Sequence, residues 1–326
     1  MNDTASKFNI TDKLESLVQN IETLPVLPKI GTELFKMLND ENRTAQKVSD
    51  VISSDPAITA QILKVANSAF YKRQHQISTL KHAITMLGLS EVEKMAMALC
   101  SSAMSKHKLS PDLNVNISDF NAHLVMTAQL ASRLLGIFKF TMSIPAEMYA
   151  IALFHDVGAL VLGLNFPKDL KKVMDNIYKD KITFVESVKR YWGVTPVQVG
   201  GWLVAKWQLP KVFVETILFQ NGAISKKILI PEYIVALKVA NRLAAEFNLR
   251  NPFDSQEELE GLSDDILEFL KKAGVKWEDD LIAELIEGHY EDFIEMQNKA
   301  HMLTQISVSF VDKGTAYIVR EPKHIM

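Results

Sequence analysis

The sequence is short of the residues that punctuate turns. Its 326 residues include 13 glycines and 11 prolines, below the usual shares of about 7% and 5%, and sandwiches or barrels that turn every ten residues or so are disfavoured. A single cysteine, Cys100, cannot close an intramolecular disulfide, and within EVEKMAMALCSSAM it reads as a small buried hydrophobe. Long apolar runs are missing as well. The longest, residues 149–164, is interrupted by His155 and Asp156, whereas a membrane helix needs about 20 largely uncharged residues. The opening MNDTASKFNITDKLESL has no apolar stretch of the kind a secretory signal needs. A cytoplasmic protein without a membrane partner is expected. No GxxxxGK, HExxH, CxxC or GxSxG pattern occurs, which removes the usual nucleotide, zinc-protease and hydrolase signatures.

What is present points to helices. Hydrophobic residues make up 48% and charged residues 23% of the chain, so there is enough apolar surface for a core and too little charge for wholesale disorder. Thr44 precedes a run carrying Val48, Val51 and Ile52, and Asp55 precedes Pro56 and a run carrying Ile58, Ile62, Leu63, Val65 and Ala66. Each reads as an N-cap before an amphipathic helix. Ser143 ahead of Ile144 and Pro145, with Glu147 nearby, predicts a third start. Only QISVSFVDKGTAYIV, residues 305–319, alternates like a hairpin, turning at Asp312, Lys313 and Gly314.

Charge is distributed unevenly. Residues 254–295 carry fifteen acids against three lysines, while residues 56–90 contain no acid and hold Lys64, Lys72, Arg73 and Lys81. The acidic block keeps a helical stripe, Leu259, Leu262, Ile266, Phe269 and Leu270, then Leu281, Leu285 and Ile286, so it is expected to fold. The acid-free stretch is either a solvated rim or a contact surface for an acidic partner, against which the acidic block could compete by folding back. Read as a helix-turn-helix, residues 44–66 offer mostly apolar side chains where base edges would be read, and nucleic acid is not the expected partner.

Chemistry concentrates in MYAIALFHDVGALVL, residues 148–162. Read as one helix, it places Met148, Ala152, His155, Ala159 and Leu162 on one face, with Asp156 beside them. A carboxylate in that setting must be paired, hydrogen-bonded, metal-bound or protonated. In SDFNAHLVMTAQLASRLL, His123, Thr127, Leu130 and Leu134 share a face, so His123 can point at the same interior. Two imidazoles and a carboxylate suit iron, manganese or zinc; a buried hydrogen-bonded cluster tying two helices is the alternative. Trp192, Trp202 and Trp207 read as core packing rather than a ligand cage.

These segments, with LPVLP (24–28), VISSDPAITAQILKVANSAFY (51–71), Ile77, AITMLGL (83–89), ALFHDVGALVL (152–162), GGWLVAKWQLP (200–210) and ALKVANRLA (236–244), resemble the HDOD domains, regulatory relatives of the HD phosphohydrolases of bacterial signalling. The resemblance implies an all-α fold. An N-terminal helical half at 21–110 and an HD-like half at 111–250 would follow a lead-in at 1–20, with an acidic helical extension at 251–326. It also implies a metal set at His123, His155, Asp156 and Asn241. The last position holds an amide where HD phosphohydrolases carry an aspartate, and Pro196 and either Gln220 or Asn221 stand where some relatives have histidines. A degenerate site follows, with no resident cofactor expected and at most a weakly held ion. So does a non-catalytic regulatory role through a signalling partner, such as a sensor kinase or a cyclic-dinucleotide enzyme. The alternative is a metal-dependent phosphohydrolase acting on a nucleotide or phosphodiester.

Overall fold

The computed structural model describes residues 12–38, 40, 43–71, 76–104, 109–224, 228–253 and 262–309, with helices and no strand among them. Six helices come first: α1 (Asp12–Val18), α2 (Lys29–Met37), α3 (Ala45–Ser53), α4 (Pro56–Ala66), α5 (Leu80–Leu87) and α6 (Leu89–Met104). Thr44 accepts from Lys47 N at the start of α3, and Asp55 from Ala57 N and Ile58 N at the start of α4, the two caps that the sequence predicts. After α4, Asn67 replaces a stretch of secondary structure with its side chain. It donates to Ile77 O and accepts from Ile77 N, both at 2.7 Å, and so closes the loop before α5. The first half wraps around α6, whose Val92, Met95, Ala96, Leu99 and Cys100 are buried. Burial pushes the Cys100 thiol up to about 12, which leaves it an unreactive core residue.

The second half is built on α7 (Ile117–Ile137), which is apolar on almost every side because it is covered on almost every side. Around it lie α8 (Pro145–Ala152), α9 (Val157–Asn165), α10 (Pro167–Asp180), α11 (Phe184–Trp192), α12 (Pro196–Lys206), α13 (Lys211–Phe219) and α14 (Pro231–Glu246). The start of α8 differs from expectation. Ser143 donates to Phe140 O instead of capping, and the first amide, Ile144 N, is met by the Tyr233 hydroxyl at 2.8 Å. The segment read as one helix through His155 is two, α8 and α9, parted by a turn at residues 153–156. Its apolar length is 89% buried within the protein. Asn165 joins the halves: its side chain accepts from Glu22 N and Thr23 N and donates to Thr23 O.

The extension forms α15 (Asp264–Lys272) and α16 (Leu281–Ser309). Helix α16 lies across α4, α6 and α7 and buries Phe293, Ala300 and Leu303 in the common core. The anticipated hairpin does not form over residues 305–309, which continue α16; its remainder lies outside the described residues. Packing of Leu303 and Thr304 against the core carries the helix through a short alternating stretch, because tertiary contact outweighs local pattern. The extension also meets the acid-free stretch beside α4. Where α16 passes α4, Ser68 donates to Met302 Sδ, and beside it Lys299 pairs with Glu91. Of the acids in the block, Asp292 pairs with Arg133 of α7 and Asp265 accepts from Ile224 N.

Candidate metal centre and adjoining cavity

The break between α8 and α9 is what builds the site. By leaving the helix at Ala152, the chain turns the His155 ring inward, and Nδ1 lies 2.7 Å from Ala152 O, to which it donates. His123, on α7, donates in the same way from Nδ1 to Leu249 O at 2.8 Å. Both rings are thereby fixed with Nε2 facing inward, the arrangement by which metal-ligating histidines are oriented. The two Nε2 atoms are 3.3 Å apart, and Asp156 Oδ2 lies 2.8 Å from that of His155 and 3.3 Å from that of His123. The histidines are 0% and 1% exposed, Asp156 19%.

Three ligand-type atoms this close cannot all present lone pairs to one another. The space between them takes a cation, either protons on Nε2 or a single metal ion. The donor set fits an ion of the iron, manganese or zinc type. Without it, burial alone would lower the His155 pKa, but the charge and hydrogen bond of Asp156 and the Ala152 carbonyl outweigh burial and raise it. Burial would likewise raise Asp156; the charge of His155 and the hydrogen bonds from both rings hold it far below the carboxylate range instead.

One member of the cluster was not visible in the sequence. Asn251 donates from Nδ2 to Asp156 Oδ2 at 2.5 Å, and its own Oδ1 accepts from Phe253 N at 3.0 Å, which fixes the amide's orientation. NLRNPFD reads as a boundary turn, and nothing in its spacing relates it to residue 156. The turn nevertheless supplies both Leu249 O and the Asn251 amide.

Asp156 faces a cavity of about 390 Å³. Asn241 lines it, as do Pro196, Gln220 and Asn221. Gln220 donates to His155 O at 2.7 Å, so it braces the turn. Lys238 and Arg242 stand on the same face of α14 as Asn241 and bring two cations to the wall; their spacing of four was the signal that could have found them. Lys238 donates to Gly222 O, and burial lowers its pKa. Gly158 sets how near α12 comes to this wall. A Cβ there would meet Pro196 O at 1.9 Å and Gly200 N at 2.8 Å, so only glycine permits the approach.

The remaining sequence candidates lie apart. Trp207 packs edge-on against Phe154, Trp192 against Phe166, and Lys206 lies over Trp202, so they form no cage. Lys64 and Lys81 are at the surface, while Lys72 and Arg73 lie outside the described residues.

The HDOD domain family model matches residues 24–223, more than half of the chain. The chain belongs to the HDOD family. An HDOD domain protein of unknown function from Geobacter sulfurreducens has a similar structure, with 20% identity, a TM-score of 0.71, and 89% of this chain and 96% of that one covered. A Marinobacter aquaeolei VT8 protein, provisionally named a signal transduction protein, matches with 20% identity, a TM-score of 0.69, and 94% and 69% coverage. A Shewanella amazonensis SB2B protein, provisionally named a phosphohydrolase, matches with 21% identity, a TM-score of 0.64, and 90% and 98% coverage. At these identities the likeness concerns the fold. An uncharacterized protein of Treponema pallidum (strain Nichols) is 22% identical over 215 residues, 64% of this chain and 39% of that protein; the chain thus matches well under half of this relative's length. Lys238, Arg242 and Asn251 lie beyond the segment that the HDOD model matches.

Proposed function

We propose that this HDOD domain is a non-catalytic signal-transduction module that acts by binding another signalling protein, a sensor kinase or a cyclic-dinucleotide enzyme. The observation that carries the reading is the charge of the cavity beside the histidines. Asp156 is the one acidic residue in its wall among the described residues, against Lys238 and Arg242. Two-metal hydrolysis requires anionic ligands to hold a second ion next to the first, and here the wall repels it. Asn241 is neutral, and Asp156 Oδ2 already accepts from three side chains. In this reading the cluster is a polar tie between α7 and α9, and the output passes through the surface. The acid-free stretch, with Lys64, Lys72, Arg73 and Lys81, is the partner face. The name of the Marinobacter protein agrees with a signalling role.

A second reading, a metal-dependent phosphohydrolase, is favoured by the convergence of the two Nε2 atoms on Asp156 and agrees with the name of the Shewanella protein. A bound ion would supply Lewis-acid chemistry, with His123, His155 and Asp156 holding it.

Capture of binding partners by the full-length protein, followed by association kinetics with the one identified, separates the two. Reversing Lys72 and Arg73 to glutamate is expected to slow association at low salt, while Asp156→Asn leaves it unchanged. Kinetics insensitive to salt and to the reversal would reject the proposed face.

A further inference from the structure

The extension lies beside the acid-free stretch without covering it. An open groove runs between Leu63, Lys64 and Ser68, at the end of α4, and the stretch 76–78. Lys64, Gln76 and Ser78 are exposed at its rim, although α16 packs directly against α4. A helix that blocked this face would bury those residues. Asn67 pins the two sides of the groove together through Ile77 N and Ile77 O. Between these two residues, two further side chains are tied down, and each tie leads to α16. Ser68 donates to Met302 Sδ at 3.1 Å. Tyr71 donates to Glu91 at 2.6 Å, and Glu91 in turn pairs with Lys299. The extension thus reaches both ends of the short turn at Ala69–Tyr71.

The turn itself is soft. None of its three residues is buried, and the Phe70 and Tyr71 rings pack edge-on against each other, with centroids 5.0 Å apart. A segment with few buried contacts opens locally at a low free energy. Its anchors are firm by comparison. Glu91 stands in the first turn of α6, and Ala300 and Leu303, on either side of Met302, are buried in the core. A well-seated helix therefore steadies a turn that has little of its own to hold it. Ordering a binding segment in advance removes a cost that association would otherwise carry. Charge indicates what the face receives: residues 56–90 contain no acid, and Lys64 and Lys81 are exposed, so an acidic segment is complementary.

We propose that α16 is the support that shapes the partner face: seated, it holds the turn at 68–71, and with it the groove, in the form that receives an acidic segment of the partner; unseated, it frees the turn and weakens association. The extension then acts with the partner and not as its competitor. This rests on the reading of the acid-free stretch as the partner face and adds how that face is regulated.

The first arm of the test needs no partner. Amide exchange of the full-length protein is followed at residues 67–71 and 76–79 in low urea, where opening is local. Met302→Ala and Lys299→Met, both on the extension, are each expected to speed exchange there by about tenfold, with circular dichroism confirming a folded helical protein. Should Lys299→Met fail to fold, Met302→Ala carries the arm, since Met302 is only half-buried. Acceleration under about threefold in the folded variants would overturn the supporting role. In the second arm, Ser68→Cys with Met302→Cys is joined by a short thiol cross-linker that fixes α16 against the turn; Cys100 is buried and does not compete. The partner captured as above is expected to bind the linked protein at least as well as the unlinked form of the same variant, and to bind Met302→Ala about tenfold more weakly. Weaker binding to the linked protein would show that the helix must leave first, and would overturn the proposal in favour of competition. Unchanged affinity in Met302→Ala despite faster exchange would overturn the regulation of the face. A partner indifferent to the Lys72 and Arg73 reversal would instead reject the face, while the exchange arm still decides whether α16 holds the turn, so the two readings fail separately.

Discussion

Glu91 and Asp156 are both carboxylates sunk between helices, and both are held below the ordinary carboxyl range, yet they are satisfied in different ways. Burial would raise Glu91. Lys299, through its charge and hydrogen bond, then the Tyr71 hydroxyl at 2.6 Å and Lys94, outweigh it. These partners come from three separate segments and close on the carboxylate, leaving Lys299 11% and Glu91 23% exposed. Asp156 has no lysine or arginine as an ion-pair partner among the described residues. It is met by two imidazoles fixed from behind and by one amide, and it opens on a cavity with cations in its far wall. The first cluster is a clasp between α6 and the extension. The second is organised around a space, and a space costs stability unless something is to occupy it.

Breaking the geometry of the second should have the largest effect. Gly158→Ala drives a Cβ into backbone on α12 and is expected to cost about 3 kcal/mol, at the upper end for overpacking. Urea unfolding reads the cost, and a loss under about 1 kcal/mol would mean that α9 and α12 part easily.

Removing the cation of the clasp comes next. Lys299→Met leaves Glu91 buried with only hydroxyl and distant lysine partners, and about 2–3 kcal/mol should be lost, scaled down from a fully buried pair for the water that reaches it. Adding Glu91→Gln to that variant should recover part of the loss.

Asn251→Ala is expected to cost about 1.5–2 kcal/mol, the range for a hydrogen bond to a charged acceptor. Chemical denaturation measures it. A neutral result would show that the histidines alone satisfy Asp156.

The smallest effect is on pH dependence. Because the folded pKa of Glu91 is depressed, its contribution is fully present above the unfolded carboxyl value, about 4.3, and is lost as pH falls through the folded value. Glu91→Gln should therefore flatten the loss of stability below about pH 5 without removing it, since Asp156 is depressed as well. Unfolding midpoints between about pH 3 and 6 would show the two slopes, and parallel slopes would contradict the account of Glu91.

Much of this architecture can be read from the chain because its signals are local. Thr44 and Asp55 cap where their spacing says, and the stripe Ile266, Leu270, Leu281 and Leu285 is buried as its period requires. His123 could be expected to point inward from its largely apolar helix face, whereas His155 reaches it from the turn between α8 and α9. What was not legible depends on contacts between distant segments. Asn251 reaches Asp156 across 95 positions, and no periodicity links a turn to a helix start. The same holds for Lys299, a base at the end of an acidic block, which meets Glu91 only because α16 lies across α6. The break at residues 153–156 is invisible because every residue there is compatible with helix. It is stabilised by the bond from His155 to Ala152 O and by Gln220, just after α13.

The central claim is that the retained histidine–aspartate cluster is not a hydrolytic centre. Elemental analysis of the purified, chelator-free protein, run alongside a phosphodiester turnover assay with added manganese or iron, addresses it directly. The expected result is well under one equivalent of divalent metal and no turnover above background. Near one equivalent of iron or manganese, with metal-dependent turnover that Asp156→Ala abolishes in a protein that still folds, would contradict it.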